Sequence, residues 1–161
     1  MESLSKIFMK TILIMGLPGS GKTFLAKALK QELESKKYKV EWFNADIVRE
    51  QFNDWDFSPA GRHRQMKRMK ILADKAKNSG SYVICDFVCP TKQLRHDFAA
   101  DFVVWMDTIK EGRFEDTNQI FEPLDFNEYQ AVVTEHEWWN TQHAKLWAQE
   151  IIRRLENNAQ L

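Results

Sequence analysis

The stretch TILIMGLPGSGKTFLAKALKQELES, residues 11–35, decides the fold of this chain. Residues 11–15 form a short apolar run typical of a buried strand, and residues from 22 to about 35 place apolar side chains at helical spacing. Between them GLPGSGKT, residues 16–23, matches G-x-x-x-x-G-K-[ST], a loop whose backbone N–H groups cradle phosphates. The sequence therefore predicts a strand, a phosphate-binding loop and a helix, in that order.

This loop predicts binding of ATP with Mg²⁺. The Lys22 ammonium would reach the β- and γ-phosphates, and the Thr23 hydroxyl would ligate Mg²⁺. A chance glycine-rich turn between strand and helix is the alternative, which the full spacing disfavours. ATP and Mg²⁺ are the expected cofactors, and the expected nucleotide-binding positions are Gly16, Gly19, Ser20, Gly21, Lys22 and Thr23.

Strand and helix patterns alternate along the rest of the chain. Further strands are predicted at 38–45, 81–88, 101–107 and 131–135, and further helices from the N-cap Asp46, from Pro59 to about 78, at 92–100 and at about 137–157. This order predicts an α/β fold, a parallel sheet between two helical layers, with ligands at the carboxyl ends of the strands. We expect one domain over 1–161, with the polar stretch at about 108–128 acting as a mobile lid.

Composition excludes several classes of protein. The 161 residues include 23 Lys+Arg and 23 Asp+Glu, and 43% are hydrophobic, so the chain is neutral and can bury a core. Disordered and fibrous proteins are excluded on this basis. Because affinity for duplex DNA comes largely from cationic side chains, the zero balance argues against a nucleic-acid partner. The apolar run at 11–15 is far shorter than the roughly 20 residues of a membrane helix, so no membrane partner is expected.

The cysteines and histidines favour ordinary structural roles. Cys85 and Cys89 are too few for a disulfide framework and lack a second pair for zinc, and no cleavable signal pattern precedes the first strand. We therefore expect a reducing, cytoplasmic setting. His136 and His143 would share one helix face, but no third ligand is fixed beside them, which favours a plain histidine pair over a metal site.

Charged residues follow the second and third predicted strands, whose ends face the phosphate-binding loop. Asp46 could accept a proton from a substrate hydroxyl, and Arg49, one helical turn on, could hold an anionic group. A helix cap with an i,i+3 ion pair explains the same spacing equally well. Asp86 ends the third strand, where an acidic residue can serve Mg²⁺, although a cap on the next turn is the alternative.

An aromatic–cation pair marks a possible nucleotide site. Arg62 begins the fourth predicted helix beside Phe57 of the preceding loop, and a ring next to a guanidinium can stack a base and hold its phosphate. The remaining cations of residues 62–70 are expected on a solvated helix face. Most tryptophans are expected in the core, namely Trp42, Trp105, Trp138 and Trp147, whereas Trp55 lies in a loop.

With these motifs in order, the chain resembles the adenylylsulfate kinase family of P-loop nucleotide-kinase-like proteins. That family has GLSGSGKS/T, LDGDxVR, GFSxxDRxENIRR and VIVSFISPxxxxR, then a VDxP strand and a lid. This chain has GLPGSGKT, FNADIVR, DFSPAGRHRQMKR and VICDFVCPTKQLR, then MDT and FEDTNQIF, over about residues 10–122. The resemblance implies a P-loop kinase fold and transfer of the γ-phosphate of ATP to the 3′-hydroxyl of adenosine 5′-phosphosulfate.

The resemblance also implies roles for particular residues. Asp46 matches the second acid of DGD, the catalytic base or holder of a Mg²⁺-bound water, beside the catalytic Lys22. The lid retains Arg113, Asp116, Phe121 and Phe126 of the family, and of these Arg113 would bind the nucleotide cofactor. The positions that would bind the sulfonucleotide, with Phe57 stacking on its adenine, are Arg49, Phe57, Arg62, Gln65, Phe87 and Cys89.

The chain departs from the family pattern at the metal and substrate sites. Asn44 replaces the first acid of DGD, Cys89 replaces a serine, and Asp86 replaces another serine. A carboxylate at position 86 would repel a sulfate unless Mg²⁺ lay between them, so Thr23 and Asp86 are the expected metal residues. The lid lacks the Pro-Lys-Gly of the family.

Three functions therefore stay open at the level of sequence. The first is an adenylylsulfate kinase-like enzyme with a small nucleotide substrate. The second is a P-loop kinase of another nucleoside, small hydroxyl compound or polynucleotide 5′ end, and the third is an ATP-binding module without transfer activity. The family resemblance also suggests a homodimer.

Overall fold

The computed structural model describes residues 9–134 and 140–159 of the chain. Strands and helices alternate in the order β1 Thr11–Met15, α1 Lys22–Ser35, β2 Val40–Asn44, α2 Ala45–Phe52, α3 Pro59–Asn78, β3 Tyr82–Asp86, α4 Lys92–Phe98, β4 Phe102–Asp107, α5 Glu115–Ile120, β5 Ala131–Thr134 and α6 Thr141–Ala159. The predicted start of the last helix at Glu137, together with His136 and Trp138, lies outside the described residues.

The five strands form one parallel sheet in the order β2-β3-β1-β4-β5. Side chains alternate between its two faces, as the period of a strand requires. On β1, Ile12 and Ile14 face a core completed by α1 and α6, whereas Leu13 and Met15 face a core completed by α3 and α4. The prediction of a three-layer α/β fold is confirmed. Because all the strands are parallel, their carboxyl ends lie at the same edge of the sheet.

The parallel register brings distant sequence positions together at this edge. Asn44 at the end of β2 pairs with Asp86 at the end of β3, and Asp86 also lies level with Ile14 of β1, two residues before the phosphate-binding loop. The first turn of α1 begins at Lys22, within the last two residues of that loop motif. The elements thus place the ends of β2 and β3 beside the loop, where ligands of such sheets bind.

The segment predicted as a mobile lid contains regular structure. A short helix, α5, occupies its centre, with Thr117 buried on its inner side. Its polar sequence lacks an apolar stripe, so periodicity does not reveal it. In the described part of the chain, no helix is long and apolar enough to cross a membrane.

Candidate active site

The phosphate-binding loop is shaped by glycines and anchored to the sheet. At Gly16, with φ of +150°, an added Cβ would lie 2.6 Å from the Met106 carbonyl oxygen, so only glycine fits. The Thr108 hydroxyl donates to the Ser20 carbonyl at 2.7 Å, which ties the loop to the end of β4. No side chain caps the N-terminus of α1, whose N-cap is Gly21. The first N–H groups of the helix are thus left for an anion, as ATP binding requires.

Lys22 lies where its charge can serve a phosphate. Its Nζ donates to the Leu17 carbonyl oxygen at 3.0 Å. Burial lowers the pKa of Lys22 to about 8, while the negative charges of Asp86 and Asp46 oppose that fall and the charge of Arg113 adds to it. The predicted residues Lys22, Asp46 and Arg113 are therefore close enough to interact electrostatically around the loop.

Asp86 is held by three side chains at the end of β3. Its Oδ2 accepts from the Trp42 indole Nε1 at 2.6 Å, and its Oδ1 accepts from Asn44 Nδ2 at 3.1 Å and from the Thr23 hydroxyl at 3.4 Å. Burial raises the pKa of the Asp86 carboxyl, and the hydrogen bonds from Trp42 and Asn44 act against that rise. Asp86 is only 2% exposed, and its Oδ1 lies beside Thr23 of the phosphate-binding loop.

The residues present fit Mg²⁺ bound with a nucleotide. Mg²⁺ takes oxygen ligands and is usually held by one or two carboxylates together with substrate phosphates and water. The Thr23 hydroxyl and Asp86 carboxylate supply such oxygens next to the phosphate-binding loop. No cluster of three or more His, Cys, Asp or Glu side chains suited to a metal occurs among residues 9–134 and 140–159. The donor set thus suits a cation that arrives with phosphate rather than one caged by protein alone.

The predicted capping role of Asp46 is wrong. Asn44 is the N-cap of α2, since its side-chain oxygen accepts from the Ile47 N–H at 3.1 Å while its backbone is extended. Asn44 and Asp46 are both good capping residues, and the helix begins after the first of them. Asp46 instead lies exposed in the first turn of α2, where it lines a cleft.

One cleft brings together all the residues assigned to the sulfonucleotide by resemblance. It lies beside the carboxyl ends of β2 and β3, between α2, α3 and the segment after β3. Its lining comprises Ala45, Asp46, Arg49, Phe57, Arg62, Gln65, Phe87, Val88, Cys89, Pro90 and Leu94. Asp86 is absent from this described lining, so its carboxylate is not among the side chains that would contact the acceptor. A larger hollow of about 230 Å³ lies at the opposite edge of the sheet beside Phe102, away from the phosphate-binding loop.

Two buried arginines contact the ring of Phe57. The guanidinium carbon of Arg49 lies 4.3 Å from the ring centroid, and that of Arg62 lies 5.4 Å from it. Arg49 donates to the backbone carbonyls of Asp54 and Asp56 at 2.9 and 3.1 Å, and Arg62 Nε donates to the Phe57 carbonyl at 2.8 Å. The two cations thus hold the loop before α3 and give the cleft a positive wall.

The other predicted cleft residues are buried at its base. Gln65 is 3% exposed and donates to the Ala45 carbonyl at 3.0 Å, which joins α3 to the start of α2. Phe87 packs edge-on against Phe98, with ring centroids 5.2 Å apart. Burial raises the pKa of the Cys89 thiol, so that side chain lines the cleft as a neutral group.

Several residues that shape the site carry no local sequence signal. Arg95 is buried and donates to the Cys89 carbonyl at 3.1 Å, to the Glu122 carbonyl at 3.0 Å and to Glu128 at 3.2 Å. It thereby joins the cleft wall to the segment after α5. Trp42 and Thr117 likewise bond residues 44 and 55 positions away. Arg95 ends the motif VICDFVCPTKQLR and Thr117 lies within FEDTNQIF, so family resemblance points to these two, whereas Trp42 lies outside the quoted motifs.

The fold and the phosphate-binding loop define the class of this chain: it is a P-loop protein of the nucleotide-kinase-like type. Among known families, the model described as adenylylsulphate kinase matches residues 9–109, more than half of the 161 residues. The chain belongs to the adenylylsulphate kinase family.

Individual relatives share part of their length with this chain. A probable adenylyl-sulfate kinase of Aeropyrum pernix is 38% identical over 84 residues, which are 52% of this chain and 46% of that protein. An adenylyl-sulfate kinase of Bacillus pumilus is 30% identical over 117 residues, 72% of this chain and 54% of that protein. The chain spans about half the length of the curated relatives it matches.

Solved structures share the fold at low identity. An APS kinase of Mycobacterium tuberculosis, in complex with AMPPNP and APS, has a TM-score of 0.71 and 22% identity, covering 92% of this chain and 98% of that one. A shikimate kinase of Acinetobacter baumannii, in complex with shikimate, has a TM-score of 0.58 and 18% identity, covering 96% and 98%. The predicted P-loop kinase fold is confirmed.

Proposed function

We propose that this protein transfers the γ-phosphate of ATP to the 3′-hydroxyl of adenosine 5′-phosphosulfate. The observation that carries the proposal is the convergence of Asp46 with six residues assigned to the sulfonucleotide in one cleft beside the phosphate-binding loop. Membership of the adenylylsulphate kinase family supports the same activity. The products would be ADP and the 3′-phosphorylated acceptor.

The residues of the loop bind and orient the donor. Backbone N–H groups at the start of α1 face the phosphates of ATP, and the Lys22 ammonium neutralises charge on the transferred group. Arg113 lies near enough to Lys22 to add positive charge on the nucleotide side. Thr23 and Asp86 would hold Mg²⁺, which when bound supplies further neutralisation of phosphate charge.

Asp46 is the residue placed to act on the acceptor. Its carboxylate lines the cleft, and its charge also acts on Lys22, so it lies near both the donor side and the acceptor side. In this position it orients the acceptor hydroxyl and takes its proton as the oxygen bonds to the γ-phosphorus. The bond from the γ-phosphorus to the bridging oxygen breaks, and ADP leaves.

The wall of the cleft formed by Arg49 and Phe57 fits an anionic nucleotide. In the described part of the chain, Arg49 donates to backbone carbonyls rather than to a carboxylate, so its charge is available to the phosphosulfate. Phe57 offers a half-exposed ring for the adenine. The cleft encloses about 60 Å³, whereas small-molecule pockets hold about 300–1,000 Å³, so the cleft must widen to admit the acceptor.

A panel of acceptors tests the proposal. ATP labelled at the γ-phosphate is incubated with adenosine 5′-phosphosulfate, adenosine 5′-monophosphate, shikimate, gluconate or a 5′-hydroxyl oligonucleotide, and the labelled product is identified. We expect label on adenosine 5′-phosphosulfate. Label on a different acceptor would assign another kinase activity, and absence of label from all of them would favour an ATP-binding module.

Asp46→Asn tests the assigned base. This variant keeps the size of the side chain but cannot accept the proton, so we expect turnover to fall by about 10²–10⁴ while ATP binding is kept. Glu50→Gln, an exposed carboxylate one turn further along α2, is the matched control and should keep its activity. Equal turnover of Asp46→Asn and the unmodified protein contradicts the role of Asp46.

A further inference from the structure

Trp42 packs in the core and also makes a hydrogen bond to Asp86. Its side chain packs against the core beneath α1 and α6, as does that of Trp147. Unlike a tryptophan that serves only to fill space, Trp42 directs its indole Nε1–H at Asp86 Oδ2, at 2.6 Å. Such a short bond to a buried carboxylate is charge-assisted, and hydrogen bonds to charged groups are the stronger ones.

Asn44 holds the same carboxylate from the same strand. Its side-chain oxygen accepts from the Ile47 N–H as the N-cap of α2, so its Nδ2 is turned the other way. That nitrogen lies 3.1 Å from Asp86 Oδ1, 3.2 Å from Asp86 Oδ2 and 3.1 Å from the Thr23 hydroxyl. Capping of α2 thus fixes the direction of the amide that meets Asp86 and Thr23.

The two contacts leave the carboxylate with one orientation. Trp42 occupies Oδ2, and Asn44 bridges the two oxygens, so Oδ1 is the oxygen presented to Thr23. Asp86 is 2% exposed and lies outside the described lining of the acceptor cleft. Supporting hydrogen bonds of this kind orient the side chains that bind metals and tune their affinity.

We propose that Trp42 and Asn44 are positioning residues of the nucleotide–metal site, which hold Asp86 toward Thr23 and away from the acceptor cleft. This inference rests on the proposed function only in that the chain binds ATP with a divalent cation; it does not depend on which acceptor is phosphorylated.

A binding experiment with Mn²⁺ tests the positioning role. Mn²⁺ stands in for Mg²⁺ because free and bound Mn²⁺ are distinguished by electron paramagnetic resonance, and a non-hydrolysable ATP analogue replaces ATP. Trp42→Phe keeps an aromatic side chain and removes the N–H. Trp147→Phe is the matched control, because Trp147 packs against the same core and its described ring contact is with Arg154.

We expect Trp42→Phe to weaken Mn²⁺ binding to the protein–nucleotide complex about tenfold, whereas Trp147→Phe leaves it unchanged. Affinity for the analogue in EDTA should be the same in all proteins, since the metal-free complex does not use Asp86. Asn44→Ser provides a second variant, because serine keeps the helix cap but loses the amide N–H, and it should weaken Mn²⁺ binding in the same way.

The outcomes separate this inference from the proposed function. Unchanged Mn²⁺ affinity in Trp42→Phe and Asn44→Ser, with only a lower melting temperature, would show that both residues merely support the fold and would overturn the inference. Failure of the unmodified protein to bind Mn²⁺ with the analogue would overturn it as well. Failure to phosphorylate adenosine 5′-phosphosulfate alongside intact, Trp42-dependent Mn²⁺ binding would overturn only the proposed acceptor.

Discussion

Arg62 Nη2 donates to the Thr117 hydroxyl at 3.1 Å, which joins the start of α3 to the centre of α5. Asp116 lies 3.7 Å from the same nitrogen. Through Nε, Arg62 also holds the carbonyl of Phe57, whose ring lines the acceptor cleft. One arginine therefore contacts both the acceptor cleft and α5.

Thr117→Val should weaken acceptor binding. Valine keeps the volume of threonine but loses the hydroxyl that accepts from Arg62, and a hydrogen bond to a charged group contributes about 1.5–3 kcal/mol. With Arg62 held less firmly in the cleft, we expect the acceptor KM to rise about tenfold. The affinity for ATP should change less than the acceptor KM, because the lost hydrogen bond belongs to Arg62 and not to the phosphate-binding loop. Steady-state kinetics with the acceptor and ATP varied in turn measures the two KM values.

Thr117→Ser is the control for this prediction, since it retains the hydroxyl and should keep the acceptor KM near that of the unmodified protein. Asp116→Asn should also have a small effect, because the Asp116 side chain is 71% exposed and such ion pairs contribute little. An unchanged KM in Thr117→Val would show that the contact does not participate in acceptor binding.

Arg95→Met should destabilise the fold. The Arg95 side chain is 5% exposed in its pair with Glu128, which is itself 16% exposed, and it also bonds two backbone carbonyls. Its removal leaves the partly buried Glu128 without its ion-pair partner and two backbone carbonyls without their donor, which should cost about 3–5 kcal/mol. Urea denaturation should show a loss of this order.

Arg153→Met is the matched control on an exposed ion pair. Arg153 binds Glu150 at the surface, with 59% of its side chain exposed, and pairs of this kind contribute about 0–1 kcal/mol. A similar small loss in both variants would mean that Arg95 does not hold the cleft wall to the segment after α5.

The regular elements could be predicted from sequence because they depend on local pattern. The helix Lys22–Ser35 and the helix Pro59–Asn78 have the predicted bounds, since apolar spacing and the proline mark them. The sequence predicts Asp46 as the N-cap of α2 instead of Asn44, because both residues cap well and local pattern does not choose between them. The helix α5 has six residues without an apolar stripe and is held by a contact 55 residues away in sequence, so no local rule finds it.

The candidate site, like the fold, could be predicted from sequence only in part. The loop at 16–23 is a contiguous motif whose chemistry follows from its spacing. The cleft residues were assigned by family resemblance, and the structure brings them together, although their roles stay predictions. The hydrogen bond from Trp42 to Asp86 spans 44 residues and depends on the register of β2 with β3, which no spacing along the chain encodes.

The loop before α3 should give stability a specific pH dependence. Hydrogen bonds from Arg64 and Arg68 hold the pKa of the Asp54 carboxyl well below its usual range. A carboxyl with a depressed folded pKa stabilises the fold at all pH values above its unfolded pKa of about 3.9, and this contribution is lost as pH falls toward the folded pKa. We expect Asp54→Asn to lower the melting temperature by a constant amount from pH 8 to about pH 5, and the difference from the unmodified protein to shrink below about pH 4.

Asp125→Asn provides the comparison, because Asp125 belongs to an exposed pair with Lys92 whose side chains are 64% and 61% exposed. Its melting temperature should differ little from that of the unmodified protein at any pH. A difference for Asp54→Asn that persists unchanged below pH 4 would mean that the carboxylate charge is not what holds the loop.

The exchange Asn44→Asp with Asp86→Asn should restore a site that Asp86→Asn alone disrupts. The two residues are register partners on adjacent strands, and Asn44 Nδ2 lies 3.1 Å from Asp86 Oδ1, so exchanging them returns a carboxylate to nearly the same place. Aspartate at position 44 can still cap α2. We expect Asp86→Asn to weaken Mn²⁺ binding with an ATP analogue about tenfold or more, and the double variant to recover most of that loss. A double variant as weak as Asp86→Asn would show that the carboxylate must come from β3, and that the strand supplying it, rather than the charge beside Thr23, determines the metal site.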